Sequence, residues 1–299
     1  MIVLRTWNVM DVVINFKKPK HISSQTAVTK VKHLYRVQKA GHAGTLDPIA
    51  TGVLIICLNK ATKITRFLSD LDKEYMFRLK LGESTNTYDS TGNIIEQIPC
   101  PLLSEIEILE VLKNFTGRIK QIPPMFSAIK KNGKPLYKLA RMGVNIKRPE
   151  RTVNIYSLEL VHLHPPYLDL KVSCSKGTYI RTLCNDIGQA LGVGAHMVSL
   201  ERTSIGYFRI EHAVSFEDLT SSKTGLCYSI DSALSHLNEI FLDEDAYRKA
   251  KNGRTVPLHA ERRFLNQYVR LKNPENILFG IGKVEGDAVK IARLLHTNS

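Results

Sequence analysis

The segment from residue 41 to residue 52 has the residue types that a catalytic loop needs. It holds three glycines, a histidine and an Asp-Pro pair within twelve residues. Glycine permits tight turns and the close approach of a ligand to the backbone. Asp47 would then be a lone carboxylate that acts as a nucleophile if neighbouring cations keep it ionised. The ordinary alternative is an aspartate that only initiates a turn before Pro48.

Arg181 and Tyr75 are the two side chains that would complete such a site. Arg181 lies off the apolar stripe of a predicted helix and in its first turn, where the helix dipole disfavours a cation. A buried acidic partner would explain this position, and Asp47 is the candidate, whereas an exposed arginine would need no partner. Tyr75 begins the buried face of a predicted strand. It is therefore either a core tyrosine or a platform on which a base stacks, with a hydroxyl available for proton transfer.

Several other chemistries are excluded because their motifs are absent from the sequence. It contains no GxxxxGK[ST] phosphate loop, no GxGxxG fingerprint, no HExxH helix, no GxSxG elbow and no EF-hand loop. His162 and His164 are two positions apart, and no acidic or cysteine ligand joins them locally. Such a pair is typical of exposed strand histidines rather than of a metal site. The sequence therefore predicts no bound metal.

The elements that must position these residues form a mixed α and β pattern. Strands are predicted at Val12–Phe16, Val53–Leu58, Tyr75–Leu81, Val153–Leu163 and Tyr167–Cys174. Helices are predicted after a cap at Ser23 or Ser24, after a capping box of Ser104 with Glu107, and after a cap at Thr178. From about residue 240 the chain indicates a separate small β-rich unit, with strands near Tyr268–Leu271, Leu278–Val284 and Ala288–Ala292.

Positive charge is concentrated in three stretches of the chain. The formal net charge is +14, from 42 Lys and Arg against 28 Asp and Glu. Residues 12–46 and 111–149 hold no acid, and residues 247–272 hold only Glu261, so these 100 residues carry +24 and the other 199 carry −10. A solubilising surface mixes the signs, so this pattern indicates a polyanion, with solvated basic faces as the ordinary alternative. Nucleic acid is favoured over acidic lipid because no basic amphipathic helix is evident.

Composition limits the cellular setting. The five cysteines form no CxxC pair, which argues against a disulfide framework and a structural zinc site. No apolar run approaches the roughly 20 residues that cross a bilayer, so no membrane span is expected. Met1–Phe16 lacks a small-residue cleavage site, so no secretory leader is expected either. These features predict a cytoplasmic protein.

Six segments between about residues 11 and 220 resemble, in the same order along the chain, the TruB family of tRNA pseudouridine synthases. This family modifies the uridine at position 55 in the T loop. They are Lys18-Pro19 with Ser23-Ser24, GHAGTLDPIATGVLIICLNKATK (41–63), KEYMFRLKLGESTNTYDSTG (73–92), PPMFSAIKKNGKPLYKLARMG (123–143), SKGTYIRTLCNDIG (175–188) and LERTSIGYF (200–208). In one departure, His21 occupies the position at which the family's opening motif has glycine.

The resemblance implies an α+β pseudouridine-synthase fold, a mixed and largely antiparallel sheet with flanking helices. It implies a catalytic domain over residues 1–239 and a small PUA-like RNA-binding β-barrel over residues 240–299. It also implies that Asp47 is the catalytic aspartate, that Arg181 pairs with its carboxylate and that Tyr75 stacks under the target uracil.

Four further residues are implied to hold the substrate. His42 would help to extrude the T-loop nucleotide, Tyr179 and Leu200 would wall the base pocket, and Lys18 of the opening motif would contact the RNA. Residues 123–151, called the insertion below, align with the loop by which stand-alone members grip the T arm of tRNA. Guide-RNA-dependent relatives lack most of it, so we expect a monomer with no obligatory protein partner.

The implied reaction isomerises uridine to pseudouridine without a metal or a cofactor. After the base leaves the T-loop stack, Asp47 promotes cleavage of the N1–C1′ bond, either by covalent attack or by assisting proton removal from the ribose. Tyr75 or Asp47 then removes the C5 proton. One carboxylate is enough because no water is added, unlike glycoside hydrolysis. The alternatives are a non-catalytic tRNA-binding or tRNA-folding protein and a guide-RNA-dependent synthase.

Overall fold

A computed structural model describes the fold for residues 11–101, 103–131, 133–221, 227–257 and 264–295. The first ten residues and part of the third basic stretch thus lie outside the described residues. The strands are β1 (Val12–Lys18), β2 (Ala40–Ala43), β3 (Thr51–Leu58), β4 (Lys73–Leu81), β5 (Glu83–Thr85), β6 (Ile94–Gln97), β7 (Gly117–Gln121), β8 (Lys130–Lys131), β9 (Lys134–Pro135), β10 (Arg151–His164), β11 (Tyr167–Cys174), β12 (Ala195–Ile205), β13 (Phe208–Arg209), β14 (Cys227–Ser229), β15 (Asn238–Phe241), β16 (Val256–Pro257), β17 (Tyr268–Lys272), β18 (Leu278–Glu285) and β19 (Ala288–Leu294).

The α-helices are α1 (Ser24–Leu34), α2 (Thr65–Ser69), α3 (Glu105–Lys113), α4 (Leu136–Arg141), α5 (Ile180–Ala190), α6 (Phe216–Thr220), α7 (Ile230–Ala233) and α8 (Glu244–Lys251). Short 3-10 turns lie at Asn59–Ile64 and Ile210–His212. None of the helices in the described part of the chain is long and apolar enough to cross a membrane.

One large sheet forms the centre of the protein. Its strand order is β14-β1-β3-β12-β4-β11-β10-β7, with β2 added to β3 and β13 added to β12. Within the described residues, β3 and β12 form its one parallel pair, and the other neighbouring strands are antiparallel. The predicted α+β class and the largely antiparallel sheet are therefore confirmed.

Local sequence patterns explain the strands and helices around the site. In β4, inward residues alternate with more exposed ones, and Tyr75, Phe77 and Leu79 are buried. Ser104 and Glu107 form the predicted capping box of α3. These two local predictions are confirmed.

The two serines at the start of α1 have separate roles. Ser23 caps the helix, because its hydroxyl accepts the Thr26 N–H at 3.0 Å. Ser24 is buried, and its hydroxyl exchanges hydrogen bonds with the backbone of Leu46, accepting its N–H at 2.8 Å and donating to its carbonyl at 3.0 Å. The start of α1 therefore holds the chain directly before Asp47.

The start of α5 differs from the prediction. Thr178 does not cap the helix, because its hydroxyl donates instead to the Ser175 carbonyl at 2.9 Å and closes a local turn. Tyr179 occupies the cap position, without a side-chain capping bond. The predicted apolar stripe is confirmed, since Ile180, Leu183, Cys184 and Ile187 are all buried.

The C-terminal strands form a second, five-stranded sheet in the order β15-β17-β18-β19-β16. It packs against α2, because Leu278 and Ile281 of β18 belong to the same hydrophobic cluster as Phe67 of α2, which also includes Val13 of β1 and Ile55 of β3. The rings of Phe67 and Tyr268 also meet edge to face, with 5.1 Å between their centroids. The expected division between residues 239 and 240 falls inside β15 and stays a proposal.

The turn after β1 brings the opening motif to the Asp47 loop, which comprises residues 44–50. His21 has a φ of 68° in this turn, and its N–H donates to the Pro48 carbonyl at 2.7 Å. A positive φ of this size favours glycine over any residue with a Cβ. The backbone therefore explains why the family motif has glycine where this chain has His21.

Replacing His21 with glycine should raise the free energy of unfolding by roughly 1 kcal/mol, because glycine removes the left-handed strain. Lys20 is a matched control, since it is exposed in the same turn but is not among the residues with positive φ. Lys20→Gly should lower the free energy by about 0.5–1 kcal/mol through the greater entropy of the unfolded chain. Urea unfolding measures both, and an equal loss of stability in the two variants would contradict the interpretation.

Candidate active site

The structure brings six of the seven predicted site residues around one cavity of about 860 Å³. They are His42, Asp47, Tyr75, Tyr179, Arg181 and Leu200. The cavity lies where the Asp47 loop, the loop formed by residues 86–93, the beginning of the insertion and the first turn of α5 meet. Residues far apart in the chain therefore share one site.

Asp47 lies in a loop that is fixed on both sides. Ser24 holds the preceding residue, Leu46, and His21 holds the following residue, Pro48. The Asp47 carbonyl also accepts the Ala50 N–H at 3.0 Å, so Asp47 does initiate a turn. Its side chain nevertheless lines the cavity and remains 34% exposed. Asp47 therefore initiates a turn and also presents its carboxylate to the cavity.

Arg181 pairs with Asp47 through two contacts. Its Nε lies 2.9 Å from Asp47 Oδ2, and its Nη2 donates to Asp47 Oδ1 at 3.2 Å. Nη1 faces a second carboxylate, Asp89, at 3.5 Å and donates to the Thr87 carbonyl at 3.1 Å. Nη2 also donates to the Phe126 carbonyl at 2.8 Å. The pairing expected from the helix position of Arg181 is present. Arg181 also contacts two further segments, the loop of residues 86–93 and the beginning of the insertion.

The charge state of Asp47 depends on two opposed effects. Burial raises the pKa of its carboxyl above the ordinary value, and the neighbouring carboxylate of Asp89 adds to the rise. The Arg181 guanidinium opposes that rise, as does Lys18 more weakly. The neighbouring cations that the sequence analysis expected are present, and burial of the carboxyl acts against them on its pKa.

Tyr75 belongs both to the core and to the cavity. Its side chain is only 7% exposed and packs in the main hydrophobic cluster, while it also lines the cavity. Burial raises the pKa of its hydroxyl, and the positive charge of Arg202 opposes the rise. The two interpretations of Tyr75 are thus compatible.

Arg202 is a site residue that the sequence patterns did not reveal. It is 1% exposed, its Nε donates to the Val53 carbonyl at 2.7 Å, and its Nη2 donates to the Gly44 carbonyl at 3.0 Å. It also lines the cavity. The available signal was strand alternation, which puts Arg202 on the same face of β12 as the buried Leu200. Arg202 connects the Asp47 loop to the sheet.

Aromatic and apolar side chains form part of the cavity wall, beside polar and charged residues such as Lys73 and Thr91. Leu200 is 7% exposed, and Tyr179 contributes an aromatic ring. Burial lowers the pKa of His42, and its Nδ1 has no hydrogen-bond partner among the described residues. The site therefore presents flat apolar surfaces beside the Asp47 carboxylate, which suits a planar base.

Lys18 does not line the cavity, which corrects the expectation that it contacts the substrate. Its side chain is fully buried, and its Nζ donates to the carbonyls of Pro19 at 2.8 Å and Ile22 at 2.9 Å. Burial lowers its pKa to about 8. The ammonium group satisfies two carbonyls of its own turn, so Lys18 stabilises the turn that contacts the Asp47 loop.

The two strand histidines are placed as predicted. His162 and His164 are exposed on β10, with 5.9 Å between their ring centroids. Asp169, the nearest acid across the sheet, is bound by Arg78 through two contacts of 2.6 and 2.7 Å. Among the described residues, no group of three or more His, Cys, Asp and Glu side chains is arranged to hold a metal ion.

Comparison with known proteins gives concordant matches. The model of the TruB family pseudouridylate synthase N-terminal domain matches residues 32–180, and that of the tRNA pseudouridylate synthase B C-terminal domain matches residues 181–241. The chain is 42% identical over 292 residues to tRNA pseudouridine synthase B of Clostridium tetani, covering 96% of this chain and 100% of the relative. It is 39% identical over 299 residues to the protein of that name from Haemophilus influenzae, covering 97% of each.

A solved structure has a similar fold. The crystal structure of a Cbf5-Nop10-Gar1 complex contains a chain that superposes with a TM-score of 0.74 and 28% identity, covering 96% of this chain and 85% of that one. The likeness extends through both sheets, because the match spans nearly the whole chain.

Replacing Arg202 with methionine should lower the free energy of unfolding by roughly 2–4 kcal/mol, because the Val53 and Gly44 carbonyls lose their buried donors. Arg78 is the matched control, since its side chain is 45% exposed and its contacts are with Asp169 on the surface. Arg78→Met should cost less than about 1 kcal/mol. Urea unfolding compares them, and a similar cost for both arginines would contradict the connecting role of Arg202.

Proposed function

Because the chain belongs to the TruB family of pseudouridylate synthases, we propose that the cavity around Asp47 is where it isomerises uridine in tRNA to pseudouridine. The target is uridine 55 in the T loop, the activity of this family. The observation that carries the proposal is the two-contact pair of Asp47 and Arg181 at a cavity walled by Tyr75, Tyr179 and Leu200. That arrangement offers one oriented carboxylate beside a slot for a planar base.

The reaction rearranges bonds without adding or removing atoms overall. The N1–C1′ bond breaks, the uracil turns, C5 joins C1′, the C5 proton leaves and N1 gains a proton. Asp47 either attacks C1′ or assists removal of a ribose proton, and Arg181 orients it in both routes. The base stacks on Tyr75, and Asp47 or the Tyr75 hydroxyl accepts the C5 proton.

The insertion provides the proposed grip on the T arm. Its hairpin of β8 and β9 and the helix α4 present five exposed basic side chains, and one of them, Arg141, lines the cavity. These are Lys130, Lys131, Lys134, Lys138 and Arg141. A-form RNA is bound mainly through its phosphates and 2′-hydroxyls, which suits such a surface. We place a second, weaker RNA contact in the C-terminal unit from about residue 240.

The insertion also supports the proposal that the enzyme acts alone. It supplies a direct contact to tRNA, so neither a guide RNA nor an obligatory protein partner is needed to present the substrate. A monomer acting on tRNA in the cytoplasm is the setting we propose. A guide-dependent synthase would instead modify nothing when purified and given tRNA only.

Replacing Asp47 with asparagine should reduce tritium release from tRNA labelled with [5-³H]uridine by roughly 10⁴-fold or more, because the reacting carboxylate is lost. The dissociation constant for tRNA, measured by filter binding, should change by less than about threefold. Asp70→Asn is the control, since Asp70 forms only an exposed ion pair with Lys176. Full activity of Asp47→Asn would refute the assignment, and a wild type that binds tRNA without releasing tritium would favour the non-catalytic alternative.

Removing three charges from the insertion should weaken tRNA binding and flatten its dependence on salt. For the triple variant Lys130→Gln, Lys131→Gln, Lys134→Gln, the slope of log K against log salt should fall by roughly 0.7–0.9 for each phosphate that the protein no longer neutralises. Lys60→Gln is the control, because Lys60 is exposed outside the three basic stretches. An unchanged slope in the triple variant would contradict the proposed grip.

A further inference from the structure

Gln121 connects the beginning of the insertion to α5, the helix that holds Arg181. It is the last residue of β7, two residues before the insertion, and it is 2% exposed. Its Oε1 accepts the Tyr179 N–H at 3.1 Å, and its Nε2 donates to the Tyr179 carbonyl at 3.4 Å. One side-chain amide thus satisfies both backbone groups of one residue, as a neighbouring strand does in an antiparallel pair.

Tyr179 is the residue at which the chain turns into α5. It has φ −102° and ψ 107°, and no side chain caps the helix there. Its carbonyl also accepts the first helical hydrogen bond, from the Leu183 N–H at 3.0 Å. Arg181 follows two residues later in the first turn, so the direction of its side chain depends on where the helix begins. Gln121 therefore holds the backbone that aims Arg181.

The beginning of the insertion contacts the same residues a second time. The Phe126 carbonyl accepts a hydrogen bond from Arg181 at 2.8 Å, and Ser127 lines the cavity together with Tyr179. The Ser127 carbonyl in turn accepts the N–H of Tyr137 in α4 at 3.0 Å. Residues 121–127 thus wrap around Tyr179 and Arg181, and the exposed basic hairpin is built directly on them.

We propose that Gln121 is a positioning residue that keeps the beginning of the insertion against the first turn of α5, and so keeps Arg181 in its two-contact pair with Asp47 while the insertion holds RNA. This inference rests on the proposed function of the site. Gln121 does not contact the base and lies behind Tyr179, so it acts through Tyr179 and Arg181. The backbone of residues 121–127 then connects the hairpin that holds RNA to the site at which Asp47 reacts.

A substitution of Gln121 should affect the reaction through the position of α5 and Arg181. If the first turn of α5 shifts, Arg181 moves from Asp47 and the pKa of that carboxyl rises further. The groups that face Asp47 are Arg181, Asp89, Lys18 and the hydroxyls of Tyr75 and Tyr179. Asp89, Lys18 and Tyr75 belong to other elements that Gln121 does not touch, so the expected change comes through α5.

Gln121→Met tests the proposal, because methionine has a similar length and no polar group that replaces the amide. With saturating tRNA, the single-turnover rate constant for tritium release should fall by about 10–100-fold, as expected for a misplaced catalytic group. The dissociation constant for tRNA should change by less than about threefold. The acid limb of the rate–pH profile should move to higher pH. Gln97→Met, on the exposed strand β6, is the matched control and should match the wild type.

Gln121→Glu is the second variant, because it keeps the size of the side chain and the acceptor for the Tyr179 N–H. Its rate constant should lie between those of the wild type and Gln121→Met, and it serves as the test if Gln121→Met does not fold. An unchanged rate constant and acid limb, or a loss seen only in tRNA affinity or in the folded fraction, would overturn the positioning role. Failure of the wild type to release tritium would instead overturn the proposed function.

Discussion

The burial of one guanidinium group is the constraint on which the site depends. Arg181 is 5% exposed, and a charge removed from water is tolerated only when its donors are satisfied. Its five N–H groups have five acceptors within 3.5 Å, two on Asp47 and one each on Asp89, Thr87 and Phe126. The acceptors come from three different loops, so these loops must meet at one point for the chain to fold.

This arrangement explains how the Asp47 carboxylate can be partly buried, because the Arg181 guanidinium balances its charge. Asp47 and Asp89 share one guanidinium, and burial still raises the pKa of Asp47. Ion pairs of this kind add little net stability, because desolvation offsets most of the attraction. What they provide is a fixed direction for the carboxylate before the substrate arrives, which lowers the cost of organising the reaction.

Predictions from the sequence succeeded for periodic patterns and for most helix caps, with Thr178 as an exception, and were incomplete where the contacting residues are distant. The alternation in β4, the stripe of α5 and the Ser104 capping box need only neighbouring residues. Even the pair of Arg181 with Asp47 was inferred locally, from an arginine in a helix turn that disfavours a cation. Arg202 and Gln121 were missed because their partners lie 149 and 58 residues away. The prediction that Lys18 contacts the substrate failed because its ammonium group binds carbonyls of its own turn. A count of charges along the sequence does not reveal such a contact.

Contacts between distant residues also limit which of the three basic stretches can bind RNA. In the third basic stretch, Arg270 and Lys272 of β17 are 14% and 10% exposed in their side chains and contact Asp231 and Glu239 at 2.7–3.3 Å. Glu239 belongs to β15 of the same sheet and Asp231 to α7 outside it, so these cations stabilise the second sheet and join it to α7. An acid-free stretch therefore indicates an RNA surface only where the fold leaves its cations exposed. The hairpin of the insertion meets that condition and β17 does not, so the interface with a polyanion is narrower than the +24 suggests.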